Sequence, residues 1–240
     1  MKRLLLTFAA FFIINAVCSE ETDDNVKTNS PQYVDLGLSV FWSTTNLGAH
    51  TPEEYGDYYA CGEIIPKSDY SWSGYSYCTD GKGKFFSKYV LKKRNGASDF
   101  EYELDLSDDA AFASLGGKWR MPTQQEQYEM RHECRLVIEE LNGIKGYRVY
   151  SKVNKNSIFI PFAGTFSNEK KEHAGDYGAY WTNELYTKRD LFHRSSSQAL
   201  MFVFLSDDTG QGCSPRYIGL PIRPVWDPNL NEGHYLLLTR

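Results

Sequence analysis

From residue 107 onward, apolar and polar positions divide the chain into short elements. Ser107 precedes Asp108-Asp109-Ala110-Ala111-Phe112-Ala113-Ser114-Leu115, and Gly116-Gly117 follow. This predicts a short helix: the Ser107 hydroxyl caps free N–H groups, the acidic pair suits the positive end of the helix dipole, and Gly116 takes a left-handed C-terminal conformation. A second helix is predicted from Gln124, because Pro122 ends the piece before it and Thr123 with Glu126 forms a T-x-x-E capping box. Where that helix ends is ambiguous. Met130, Cys134, Val137 and Leu141 fit one helical face, while Leu136-Val137-Ile138 before Asn142-Gly143 fits a strand entering a hairpin turn. Beyond Gly143 the pattern predicts a β-meander: strands at 146–151 and 157–162 around a turn at Asn154-Lys155-Asn156, with later strands at 178–182, 199–205 and 217–225.

The first half is less regular. Tyr33 to Trp42 is rich in β-formers and interrupted by Gly37, which predicts a strand or bent hairpin entering the core. Residues 51–90 interleave Tyr, Gly and Ser with little period of either kind. Such aromatics need burial, so the stretch reads as packed loop, not disorder. At the N-terminus Lys2-Arg3 precede the apolar run Leu4 to Ile14, too short for a typical membrane-spanning helix and suited to a secretory signal peptide. The expected organisation is residues 1–18 as signal peptide, 19–32 as a flexible tether with little to bury, 33–226 as one domain and 227–240 as an appendage. No internal repeat is evident.

Composition narrows the function classes. The 240 residues carry 26 Lys+Arg against 31 Asp+Glu, a formal charge of −5, and loss of Lys2 and Arg3 with a signal peptide makes the remainder more acidic. A nucleic-acid binder would need a basic face, so that class is set aside. Aromatic residues make up 15%, including 17 Tyr and 5 Trp, side chains that suit both β cores and contact surfaces. Four cysteines follow the leader: Cys61, Cys78, Cys134 and Cys213. In an oxidising compartment they permit two disulfides in any of three pairings, and buried thiols are the equal alternative. None stands at zinc-ligand spacing with another Cys or a His, so no metal and no cofactor is expected.

Six strings in order carry a family resemblance: Tyr33-Val34-Asp35-Leu36-Gly37-Leu38-Ser39-Val40; Glu54-Tyr55-Gly56-Asp57-Tyr58-Tyr59; Gly116 to Thr123 (GGKWRMPT); Asn156 to Gly164 (NSIFIPFAG); Gly175 to Thr182 (GDYGAYWT); and Ile222-Arg223-Pro224-Val225. Across residues 33–226 they resemble the Fibrobacter succinogenes major paralogous domain family of secreted bacterial proteins. The resemblance implies an α+β, C-type-lectin-like fold: a twisted, mostly antiparallel sheet with two helices and long loops, related in scaffold to formylglycine-generating enzymes. It also implies that the second helix turns to strand near Cys134. Such a scaffold fixes no function.

Candidate chemistry is sparse. His50, His132, His173, His193 and His234 stand in no metalloprotease or triad context, and no G-x-S-x-G, phosphate loop or dinucleotide fingerprint occurs. Formylglycine-generating enzymes use cysteines near the last strand, but this region has only Cys213, and Pro224 stands where such enzymes carry a Cys. Trp181-Thr182-Asn183-Glu184 is a loose echo of a calcium-lectin motif; Asp227-Pro228-Asn229 lies in the wrong order to be one. The resemblance places a ligand face on the late-strand loops, Glu184–Gln198 and Ser206–Arg216. Tyr186, Arg189, Phe192, His193, Arg194 and Arg216 are the candidate contacts, in a residue mixture that contact surfaces favour, with a solvated loop as the bland alternative. Trp119 and Trp181 read as core, and Trp72 and Tyr75 as weaker candidates for stacking on a sugar. The expected function is a non-catalytic cell-surface binding or adhesion module for a glycan or protein; a structural cell-envelope component is the alternative, and a glycan hydrolase a third reading.

Cys18-Ser19-Glu20-Glu21-Thr22-Asp23-Asp24 resembles the start of a lipid-anchored outer-surface lipoprotein, although Asn15 and Val17 depart from the usual lipobox. A plain secreted form is the alternative. Under the anchor reading, Cys18→Ala releases the protein from membranes in cell fractionation; absence of lipid on the wild-type chain rules the anchor out.

Overall fold

The computed structural model describes residues 31–187 and 195–230. Strands β1 (Tyr33–Val34) and β2 (Phe41–Ser43) pair antiparallel across a loop in which Gly37 takes φ +73°, the expected bent hairpin. A long irregular course leads to α1 (Ala110–Leu115), β3 (Trp119–Arg120) and α2 (Gln124–Glu133). Then come β4 (Cys134–Leu141), β5 (Ile144–Ser151), β6 (Ser157–Pro161), β7 (Thr165–Ser167) and β8 (Lys170–Glu172). Strands β9 (Gly178–Leu185), β10 (Gln198–Phe204), β11 (Thr209–Pro215) and β12 (Val225–Trp226) complete the order. They form antiparallel sheets β1-β2-β12-β3, β4-β5-β6 and β9-β10-β11, with a β7-β8 ribbon. With two α-helices among the described residues, the class is α+β.

Local chemistry explains most boundaries. The Thr123–Glu126 capping box forms as expected, and the chain leaves α2 at Cys134, which resolves the ambiguity in favour of the strand. Asn142 (φ 51°) and Gly143 (φ 81°) make the two-residue turn that sets Leu141 opposite Ile144. The cap of α1 differs from expectation. Leu106–Asp108 form a 3₁₀ turn, so Ser107 precedes the helix and Asp109 is its N-cap. One Asp109 oxygen accepts from the Phe112 amide (2.9 Å) and the other from the Met121 amide (2.7 Å), tying α1 to β3.

Three further expectations are corrected. Residues 217–225 are not a continuous strand: Pro221 and Pro224 lack the N–H a ladder needs, and only isolated bridges (Leu220 to Tyr59, Gly219 to Phe166) precede β12. Most of the expected 206–216 loop is strand β11, in full register with β10, although its Thr209-Gly210-Gln211-Gly212 start shows no apolar alternation. The boundary at 226 also moves outward. Asp227 accepts from Arg120 Nε (3.0 Å) and Nη2 (2.9 Å), while Arg120 also holds Glu126, so residues 227–230 belong to the body.

The core is organised about β9, which is buried on both faces from Gly178 to Thr182. Tyr180 points into a cluster with Trp42, Met130, Val149, Ile160, Phe162, Phe202 and Val225; Ala179 and Trp181 face a second with Leu47, Tyr59, Ala111, Leu220 and Ile222. A third cluster, with Tyr58, Tyr70, Tyr75, Phe86 and Val90, lies within the irregular segment and bears out its reading as packed loop. Trp119 and Trp181 are core, as expected, and Tyr75 is buried as well.

Arg216 sits fully buried (0% exposed) where the irregular segment meets the end of β11. Its guanidinium lies 5.0–5.9 Å from the rings of Phe86, Tyr75, Tyr89 and Tyr77. It donates to the Tyr75 hydroxyl (2.9 Å) and to the carbonyls of Ser196 (3.1 Å) and Lys88 (3.2 Å). Lysine keeps the charge but not the planar fork. Arg216→Lys should therefore cost about 3 kcal/mol, roughly 6–12 °C in melting temperature, with Arg216→Met no better; unchanged melting of both would remove Arg216 from the centre of the fold.

Burial pushes the Asp109 carboxyl up to about 6, against the Phe112, Met121 and Ala111 amides and the Arg120 charge, which pull it down. Between pH ~4, where the unfolded carboxyl titrates, and pH ~6 the native state holds the extra proton, so stability falls by about 2–3 kcal/mol as pH rises and is level above. Asp109→Asn should lack that decline in denaturant melts across the window, whatever its overall stability; an unchanged slope would assign the decline to other groups.

Candidate functional site

The late-strand face begins at the carboxyl end of β9. Glu103 bridges Glu184, while the amides of Leu104 and Leu185 donate to the carbonyls of Asn183 and Tyr102, each at 2.7 Å. Residues 102–104 thus extend the sheet along the free edge of β9. The first turn of α2 closes the other side: the Gln124 amide donates to Glu184 Oε2 (3.2 Å), and the Gln124 side chain donates to Gln211 Oε1 on β11 (2.9 Å).

This junction is rich in acceptors that lack donors. Gln127 Oε1, Asn183 Oδ1 and Gln198 Oε1 are buried without a hydrogen-bond partner. Burial raises the Glu184 carboxyl above its ordinary range, the Gln124 amide opposes the shift, and the negative charges of Glu103 and Glu126 add to it. The segment paired with β9 also carries an exposed aromatic, Tyr102 (54% exposed), whose carbonyl accepts from the Leu185 amide. The half-buried Glu184 and the exposed Gln211 are the acceptors within reach of a ligand with many hydroxyl donors.

The candidate contacts fare unequally. Tyr186 lies just past β9, half-buried, its amide donating to the Gln198 carbonyl (3.1 Å). Arg189, Phe192, His193 and Arg194 lie outside the described residues, as does Cys18. Arg216 is corrected from contact to core, because its donors are spent on internal acceptors. Of the two weaker stacking candidates, Tyr75 is buried and Trp72 packs edge-on against Tyr75, Phe86 and Tyr217. Tyr102, Glu103, Gln124 and Gln211 were not singled out from sequence. The alternating Phe100-Glu101-Tyr102-Glu103 was the legible signal, but only pairing with β9 gives it a place.

The four described cysteines are thiols. Burial pushes Cys61 up to about 12 and Cys134 up to about 11, so both stay protonated and act as small hydrophobes. Among the described residues no three His, Cys, Asp or Glu side chains are grouped to hold a metal ion, and no helix is long and apolar enough to cross a membrane. Compared with family models, curated proteins and solved structures, the chain matches none.

Proposed function

We propose that this protein is an exported, lipid-anchored binding module of a bacterial cell surface, non-catalytic, built on a C-type-lectin-like scaffold and recognising a glycan through its late-strand face. The scaffold reading rests on the six ordered strings, and is supported by the antiparallel α+β architecture and the helix-to-strand change at Cys134. The ligand reading rests on one observation: the segment that carries exposed Tyr102 pairs with the end of β9, where Glu103 stands opposite Glu184 and Gln124 joins Glu184 to Gln211. A sugar stacks an apolar face on an aromatic ring and directs hydroxyl donors at carboxylates and amides. A structural role in the cell envelope is the second reading. It is favoured by the row of Tyr33, Phe41 and Trp226, stacked at 4.9–5.5 Å across β1, β2 and β12, with Tyr33 exposed.

Residues 19–240 should bind a subset of a broad glycan array with or without calcium. Tyr102→Ala and Glu184→Gln should each weaken the hits about tenfold, equivalent to ~1.4 kcal/mol. Silence on the array moves the reading to a protein partner or an envelope role, and cleavage of a bound glycan overturns the non-catalytic assignment.

A further inference from the structure

A cavity of about 680 Å³ lies on a part of the molecule that shares no residue with the late-strand face. Its wall includes Asn46, Ala49, His50, Asp57, Tyr59 and Leu115, and no lysine or arginine is among its described lining residues. Two features mark it as built around acceptors. Asn46 is 1% exposed and spends its amide hydrogens on the Tyr55 carbonyl (2.9 Å) and the Tyr180 hydroxyl (3.3 Å), which leaves Oδ1 buried without a partner. Gly48, at φ +79°, makes room for the Asp57 carboxylate: a Cβ there would fall 2.2 Å from Oδ2, so the loop has space for this carboxylate only because residue 48 has no side chain.

Asp57 is exposed and has no charged or hydrogen-bonded side-chain partner among the described residues, and partial burial raises its pKa. A carboxylate that lines a recess without an internal partner pairs best with a cation that brings its own hydrogen-bond donors, because charge-assisted bonds are the stronger ones. A metal ion would need further ligands that the described residues do not group. An anion is repelled. The recess is far larger than a bare ammonium and also offers Leu115, Ala49 and the buried Tyr59, which suit the apolar body of a larger molecule.

From Asp57 without a partner among the described residues, the unsatisfied Asn46 and a described lining that holds no lysine or arginine, we infer that this cavity binds an organic cation, an ammonium or guanidinium group carried on a small apolar body. The group is either a free amine or the side chain of a lysine or arginine on another protein, since both present the same chemistry to Asp57.

The experiment titrates residues 19–240 with benzylamine, benzamidine, benzyl alcohol and benzoate at millimolar concentration, followed by NMR shift changes of the 44–59 segment. Benzylamine and benzamidine should bind, benzyl alcohol about tenfold more weakly, as expected for one charge-assisted contact, and benzoate not at all. Asp57→Asn should erase the preference for the amine over the alcohol, while Ala49→Phe, which fills the recess and keeps the carboxylate, should abolish binding of both. N-acetyl-lysine methylamide binding more tightly than benzylamine assigns the natural cation to a protein side chain; the reverse assigns it to a free amine. Equal binding of amine and alcohol, a preference that survives Asp57→Asn, or no binding by any probe would each overturn the inference. Melting temperatures of both variants show that folding is retained.

Discussion

Two guanidinium groups are buried in this protein with no carboxylate beside either among the described residues, and the rest of the structure depends on how they are satisfied. Arg216 is enclosed by four aromatic rings and donates to a tyrosine hydroxyl and loop carbonyls. Arg223 donates to the carbonyls of Ser43 (3.1 Å) and Phe159 (2.9 Å), with the Tyr180 hydroxyl against it, and burial lowers its pKa to about 10. A ladder pairs its own carbonyls, but irregular backbone does not. A planar fork with five donors is the side chain best able to serve several carbonyls at once. Arg216 thus holds the 51–104 segment to the end of β11, and Arg223 joins β2 and β6 to the segment before β12. Ring quadrupoles supply the negative potential that a carboxylate would otherwise provide, which gives the high aromatic content a structural purpose.

Strand β9 converts this scaffold into a display surface. Because Gly178–Thr182 are buried on both faces, the strand is anchored in two cores at once, and its last residues project with little freedom to shift. Glu184 and Asn183 therefore hold defined positions next to α2, whose own start is pinned by the Arg120–Glu126–Asp227 cluster. A loop-borne contact surface becomes specific when a rigid element sets the positions of its polar groups. The 44–57 segment follows the same logic on its own side of the molecule. Its amides are tied to Ile222 and within the loop, and Asn46 reaches Tyr180 on β9, so the cavity wall is braced by the same strand.

Much of this was legible in the residues themselves. Thr123 and Glu126 specify a helix start, because a capping box is satisfied within four residues. Asn142-Gly143 specifies a two-residue turn because both positions need positive φ, and the dense aromatics of 51–90 demanded burial without any secondary structure. Strand β11 was illegible: a glycine-rich stretch has no alternation of its own and becomes a strand because β10 offers it an edge. The cap of α1 was misread by two residues, since Ser107 and Asp109 are both good caps and only the second can also reach the Met121 amide.

The sequence by itself determined local matters: the α+β class, the capped helices, the meander and the need for a buried aromatic core. Each depends on neighbours a few residues apart. Tertiary structure alone decided that Arg216 is an internal cation and not a contact, that Glu103 stands opposite Glu184, and that Asp57 lines a cavity with no counter-charge among its described residues. Those outcomes depend on pairings across some eighty residues or more or on the absence of a charge in three dimensions, and no one-dimensional pattern encodes either.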